Sequence, residues 1–200
     1  HHQGIAAGAQ LAAVLDDGTS DPATLAGAYA AVADAHANTL AAAWARIGEG
    51  RALYAQGKWA KAKEAYQAAL AAREDEGVRW AALEGIAYSL EEERSYDDAI
   101  DQLETLRELD GTLAPIAGYH QGRILVAQGK LEQAKIKFDG VVNALKQPDG
   151  PSLPYTKEQT EARLALLDPS LALAGTDPRQ AEELIRQMNE MLQRQPPQQE

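Results

Sequence analysis

Gly50-Arg-Ala-Leu-Tyr54-Ala-Gln-Gly57-Lys-Trp59-Ala-Lys-Ala62-Lys-Glu-Ala-Tyr66-Gln-Ala-Ala69-Leu70 reads as two antiparallel helices joined at Gly57. Trp59, Ala62, Tyr66 and Ala69 follow at gaps of three, four and three, so they share one face of the second helix. Gly50 sits where the first helix must touch its partner. A glycine inside a helix costs about 1 kcal/mol against alanine, so its use there predicts backbones in contact with no room for a methyl. Gly57 can take the left-handed conformation that ends a helix and turns it back.

The pattern recurs twice. Trp44, Ile47, Gly50 and Leu53 precede the first outer stripe; Ala87 and Leu90 precede Tyr96, Ala99, Leu103 and Leu106; Gly122 and Leu125 precede Leu131, Ala134, Phe138 and Val141. The small residues 62, 99 and 134 are 37 and 35 residues apart, and so are 50, 87 and 122. Two independent positions keep one period, which identifies internal repeats. The large residues Trp59, Tyr96 and Leu131 are expected to fill the gaps between neighbouring repeats. Arg94 stands where the other two repeats have Gly57 and Gly129, so that turn is expected to be strained or differently built.

This arrangement resembles the tetratricopeptide repeat (TPR), a helix hairpin of about 34 residues. The resemblance implies an all-α fold: a short right-handed TPR solenoid of antiparallel helix hairpins with N- and C-terminal capping helices. Residues 1–37 are expected to be a helical pair in which Asp21 caps a helix opened by Pro22, with Leu25, Tyr29, Val32 and His36 on one face. Asn38 or Thr39 caps the next helix. Three repeats follow at about 39–74, 77–110 and 112–146, with surplus length near Glu74–Val78 and Asp110–Leu113. A Pro/Gly loop, 147–155, leads to capping helices over 156–195, and 196–200 is expected to be a disordered tail. In the capping part, a helix starting at Thr156 carries Ala162, Leu164, Leu166 and Leu167, which would seal the stack. Asp168-Pro169 stops it, and Pro178 opens a last helix with Ala181, Leu184, Ile185, Met188 and Leu192 on one stripe.

Composition narrows the function. The chain has 200 residues, 45% hydrophobic and 24% charged, which suits a folded helical protein rich in alanine. The net charge of -11 argues against a nucleic-acid partner and against an anionic membrane surface. Cysteine is absent, which removes disulfides, thiolate metal sites and cysteine nucleophiles. There is no phosphate-binding glycine loop, no nucleophile elbow and no histidine-rich metal motif, so no catalytic residue, metal, cofactor or small-molecule substrate is expected. No apolar run is long enough to span a bilayer. His1-His2-Gln3 without a Met reads as a tag remnant, and a native N-terminal segment is expected to have been trimmed away.

Ala117-Gly-Tyr-His-Gln-Gly-Arg-Ile-Leu-Val-Ala-Gln-Gly-Lys-Leu131 resembles the R/G-x-I-L-x-A-Q-G helix of YfgM-like proteins, and His36-Ala-Asn-Thr-Leu-Ala-Ala-Ala-Trp44 adds to the likeness. That family carries a periplasmic TPR domain on a membrane helix and is an ancillary partner of the Sec translocon. The resemblance implies a protein or peptide partner at the periplasmic face of a bacterial inner membrane.

In a TPR the first helices of successive repeats line a concave groove. By register its wall should show Trp44, Ile47, Arg51 and Tyr54; then Glu84, Tyr88 and Glu91; then Tyr119, Arg123 and Val126. Tyrosines and arginines suit a peptide-binding surface. Ile47 and Glu84 stand where carboxylate-clamp TPRs carry Lys and Asn, which argues against that binding mode. The competing readings are a groove filled by the chain's own terminal helices, and a self-associating module that dimerises through Pro178–Leu192. His120 reads as a hydrogen-bonded or solvated residue rather than a pH sensor. Glu74–Glu76 and Glu91–Glu93 read as solvated charge runs.

Overall fold

The computed structural model describes residues 2–16, 21–167 and 186. Among them are nine helices and no strand: α1 (His2–Asp16), α2 (Pro22–Ala35), α3 (Leu40–Ala55), α4 (Trp59–Ala72), α5 (Glu76–Glu92), α6 (Tyr96–Leu109), α7 (Ala114–Ala127), α8 (Leu131–Lys146) and α9 (Pro154–Leu167). Each packs on the next, and α1 on α3, α3 on α5 and α7 on α9 as well. The odd-numbered helices therefore form an inner layer and the even-numbered ones an outer layer. This is an all-α repeat solenoid.

Local chemistry sets the helix starts. The side chains of Asp21, Thr39 and Asp75 each accept a backbone N–H three residues on, at 2.8, 3.1 and 3.0 Å. The three inner-to-outer turns are built alike. Gly57, Arg94 and Gly129 have φ of 70, 60 and 72°, and the next residue's N–H reaches back to Leu53, Leu90 and Leu125. Arg94 thus keeps the same turn and bears its strain.

The core lies between the layers, and it corrects the expected role of the small residues. A Cβ on Gly50 would lie 2.5 Å from Tyr66 Cε1, and one on Gly122 would collide with the Phe138 ring at Cε1. The missing methyl admits an aromatic ring from the outer helix; it does not bring two backbones together. Sizes co-vary: Gly50 faces Tyr66 and Gly122 faces Phe138, whereas Ala87 shares the middle cluster with the smaller Leu103. Gly85 adds a second wall to the Tyr66 ring, since a Cβ there would run into Cζ. Tyr29 on α2 stands 37 residues before Tyr66 and lies over Gly48 in the same manner.

Ala62, Ala99 and Ala134 are fully buried. Tyr96 packs on the middle cluster and Trp59 is half-buried. Leu131 fills no gap between repeats. It is the first residue of α8, 50% exposed, and the core begins one turn later at Ala134. Helix α9 starts at Pro154, two residues before Thr156. Leu164 and Leu167 pack on the third cluster, while Ala162 and Leu166 are exposed. The stripe 181–192, Asp168-Pro169 and the tail 196–200 lie outside the described residues.

Candidate functional site

Helices α3, α5, α7 and α9 carry the inner wall. The wall residues expected from register separate into three groups. Trp44 and Val126 are half-buried and pack on the first and third clusters. Ile47 is not on the wall: it is 1% exposed and enclosed with Ala43, Ala62, Tyr66 and Val78. Three residues carry the chain about 60° short of a full turn, which tips Ile47 from the Trp44 side into the layer interface.

A second group is bound to itself. Tyr54 donates to Glu92 across α3 and α5 at 3.0 Å. Glu91 on α5 and Arg123 on α7 form a two-pronged ion pair at 2.6 and 2.5 Å. Tyr88 donates its one hydrogen to Glu84 at 3.0 Å. His120 on α7 lies 2.8 Å from the same phenol oxygen, so its Nε2–H donates there. On α9, Arg163 donates to the Tyr119 hydroxyl at 3.1 Å and lies 5.6 Å from that ring's centre. The imidazole of His120 meets both Tyr88 and Tyr119 edge-on, with centroids 5.0 and 5.1 Å away.

Burial governs the electrostatics of this group. His120 is pushed down to about 4, first by burial and then by Arg123 and Arg163. Its Nδ1 is enclosed without a hydrogen-bond partner, so an added proton would find no acceptor. Burial also raises Glu91 above the usual carboxylate range, against the opposing pull of Arg123. Tyr54 is pushed up to about 12 by burial and by Glu92, and stays a donor.

The third group is open. Arg51 on α3 is exposed and has no hydrogen bond or ion pair among the described residues. Glu84 on α5 holds Tyr88 through Oε1 but meets no cation in contact among the described residues. Between them lies Tyr66, from α4, whose ring fills the gap between Gly50 and Gly85. Tyr66 is 3% exposed. Its hydroxyl has no partner among the described residues, yet it is not one of the enclosed orphan atoms, so the tip reaches solvent. Burial pushes this phenol up to about 12; Arg51 pulls it down and Glu84 pushes it up, which puts both charges near the hydroxyl.

Sequence reasoning did not pick out Glu92, His120, Arg163 or the Tyr66 tip as parts of the wall. The signal for His120 was its place two residues before Gly122, where Gly48 and Gly85 precede Gly50 and Ala87. Elsewhere, a cleft of about 280 Å³ between α6, α7 and α8 is lined by Arg107, Gly118, Lys137 and Gly140. Its cations are already answered by Glu104 and Gln121. Among the described residues no group of three His, Asp or Glu could hold a metal, and no helix is long and apolar enough to cross a membrane.

A sequence profile of the tetratricopeptide repeat-like domain matches residues 1–169. No curated protein matches the chain. Among solved structures, kinesin light chain nearly identical TPR-like repeats from Podosopora anserina superpose with a TM-score of 0.61 at 14% identity, covering 98% of this chain and 96% of that one. A form of those repeats with one substituted residue gives 0.61 at 15% identity, covering 94% and 92%. YrrB, a TPR protein with an unusual peptide-binding site, gives 0.47 at 17% identity, covering 76% and 82%.

Proposed function

The chain belongs to the tetratricopeptide repeat-like domain family, and from that premise we propose that it is a non-enzymatic interaction scaffold that holds a partner polypeptide on its inner wall. The observation that supports this most is the junction of α3 and α5, where Arg51 and the Tyr66 hydroxyl have no partner, and Glu84 meets no cation, among the described residues. Charges arranged this way select a partner more than they tighten its binding. Crosslinking capture from native membranes tests the reading. Arg51→Glu is expected to abolish capture while helicity is unchanged; equal capture by the two proteins refutes it.

The likeness of Ala117–Leu131 to the YfgM-type helix supports a place at the periplasmic face of a bacterial inner membrane, next to a secretion or envelope assembly complex. The full gene tests that part. A membrane helix or lipoprotein signal upstream of Gln3 supports it, and neither being present contradicts it.

A further inference from the structure

We propose that the slot between α3 and α5 receives an acidic residue of an extended peptide: its carboxylate takes hydrogens from Arg51 and the Tyr66 hydroxyl, and its main-chain N–H goes to Glu84. This rests on the reading of the inner wall as a partner-binding surface.

The argument starts from what packing requires. At positions equivalent to Tyr66, α6 and α8 carry Leu103 and Phe138, which fill their sites with no hydroxyl, and α2 carries Tyr29, which is only half-buried. The ring of Tyr66 is therefore explained by Gly50 and Gly85, and its hydroxyl is not. The hydroxyl tip reaches solvent, so water bonds it in the free chain and a ligand acceptor takes the place of that water. The phenol remains protonated, because burial holds it up to about 12, so it acts as a donor at any ordinary pH.

Charge then chooses the ligand. Arg51 and the phenol are two donors, one of them cationic, and an acceptor anion answers both. Glu84 keeps Oε2 for a donor, since Oε1 is held by Tyr88. An acidic residue in an extended strand offers a carboxylate and a nearby amide N–H together. A lysine or arginine side chain would bond Glu84 and can donate to the phenol oxygen, but it leaves the phenol hydrogen without an acceptor and places like charge against Arg51. The slot is also left open by its own residues. Across α5 and α7, Glu91 and Arg123 close on each other; across α3 and α5, Arg51 and Glu84 form no ion pair.

A phage-displayed random decapeptide library, panned on the full chain, tests the assignment. The selected peptides are expected to share one Asp or Glu. A synthetic peptide of the selected sequence should bind Arg51→Gln about tenfold more weakly, and Tyr66→Phe about threefold more weakly, with circular dichroism unchanged. Replacing the shared acid by its amide should cost the same factor and add nothing on Arg51→Gln. Selected peptides without a shared acid, or affinity indifferent to Arg51→Gln, overturn the slot and leave the inner wall as a general binding surface. No binder to the wild-type chain overturns both. Sedimentation showing a dimer that Arg51→Gln dissociates puts a second copy in the slot and overturns the peptide.

Discussion

Two neighbouring junctions of the inner wall use the same residue types to opposite ends. Between α5 and α7, Arg123 and Glu91 bond in two places, and His120 and Tyr88 close the gap beside them. Between α3 and α5, Arg51 and Glu84 flank a tyrosine tip and do not meet. Each junction receives an outer-layer residue, Leu103 between α5 and α7 and Tyr66 between α3 and α5, and only the Tyr66 site is lined by glycines. At the α3–α5 junction a tyrosine fills it from between two glycines; at the α5–α7 junction the inner-layer position is His120, and polar side chains bridge the helices. An arginine on the wall is thus structural in one place and available in the other.

The sharpest way to break the comparison is to crowd the tyrosine. Gly85→Ala places a methyl inside the contact distance of the Tyr66 ring, and Gly50 behind it leaves the ring no retreat. We expect a loss of about 3 kcal/mol in denaturant unfolding. Adding Tyr66→Leu should recover most of it, as Leu103 does beside Ala87, while removing the hydroxyl that the open slot uses.

The closed junction has a pH signature. His120 ionises near 6.5 when unfolded and about 4 when folded. The folded chain therefore binds fewer protons than the unfolded one between those values. Its contribution is full above pH 6.5 and is lost as pH falls toward 4, on the order of 3 kcal/mol at about 1.4 kcal/mol per pH unit. Subtracting the unfolding curve of His120→Asn from that of the wild type isolates this slope. A difference that is flat in pH contradicts the buried neutral imidazole.

Arg123→Ala strands the half-buried Glu91 carboxylate and should cost about 2 kcal/mol, reduced from a fully buried pair because water reaches both partners. Glu91→Gln with Arg123→Met should restore most of the loss. Arg51→Ala, by contrast, is expected to leave stability within about 0.5 kcal/mol. Arg94→Gly lies outside both junctions and sets the baseline for a purely backbone effect. It relieves a left-handed φ of 60° and should stabilise by about 1 kcal/mol in thermal unfolding.

How much of this was legible in the sequence follows from geometry. The repeat period, the left-handed turns and the aligned small residues are local, because each depends on a spacing within one hairpin. Groups that meet across repeats were not legible. Glu91 and Arg123 are 32 residues apart, and Arg163 reaches Tyr119 from 44 residues away across the Pro/Gly loop. Whether such pairs touch depends on how far each hairpin rotates on the last, which no spacing encodes. Ile47 shows the same limit within one helix, where about 60° of rotation divides wall from core. The glycines were read as contacts between backbones; the close approach is there, but an aromatic ring fills the space, because spacing along one helix does not say which group of the partner faces it.

Arginine side-chain NMR measures the contrast between the junctions most directly. Guanidinium hydrogen exchange of Arg123 should be slowed well below that of Arg51, whose protons should exchange at the rate of a solvated arginine. Addition of the selected acidic peptide should slow Arg51 and leave Arg123 unchanged. Equal protection of the two arginines in the free protein would contradict a wall that is closed at one junction and open at the other.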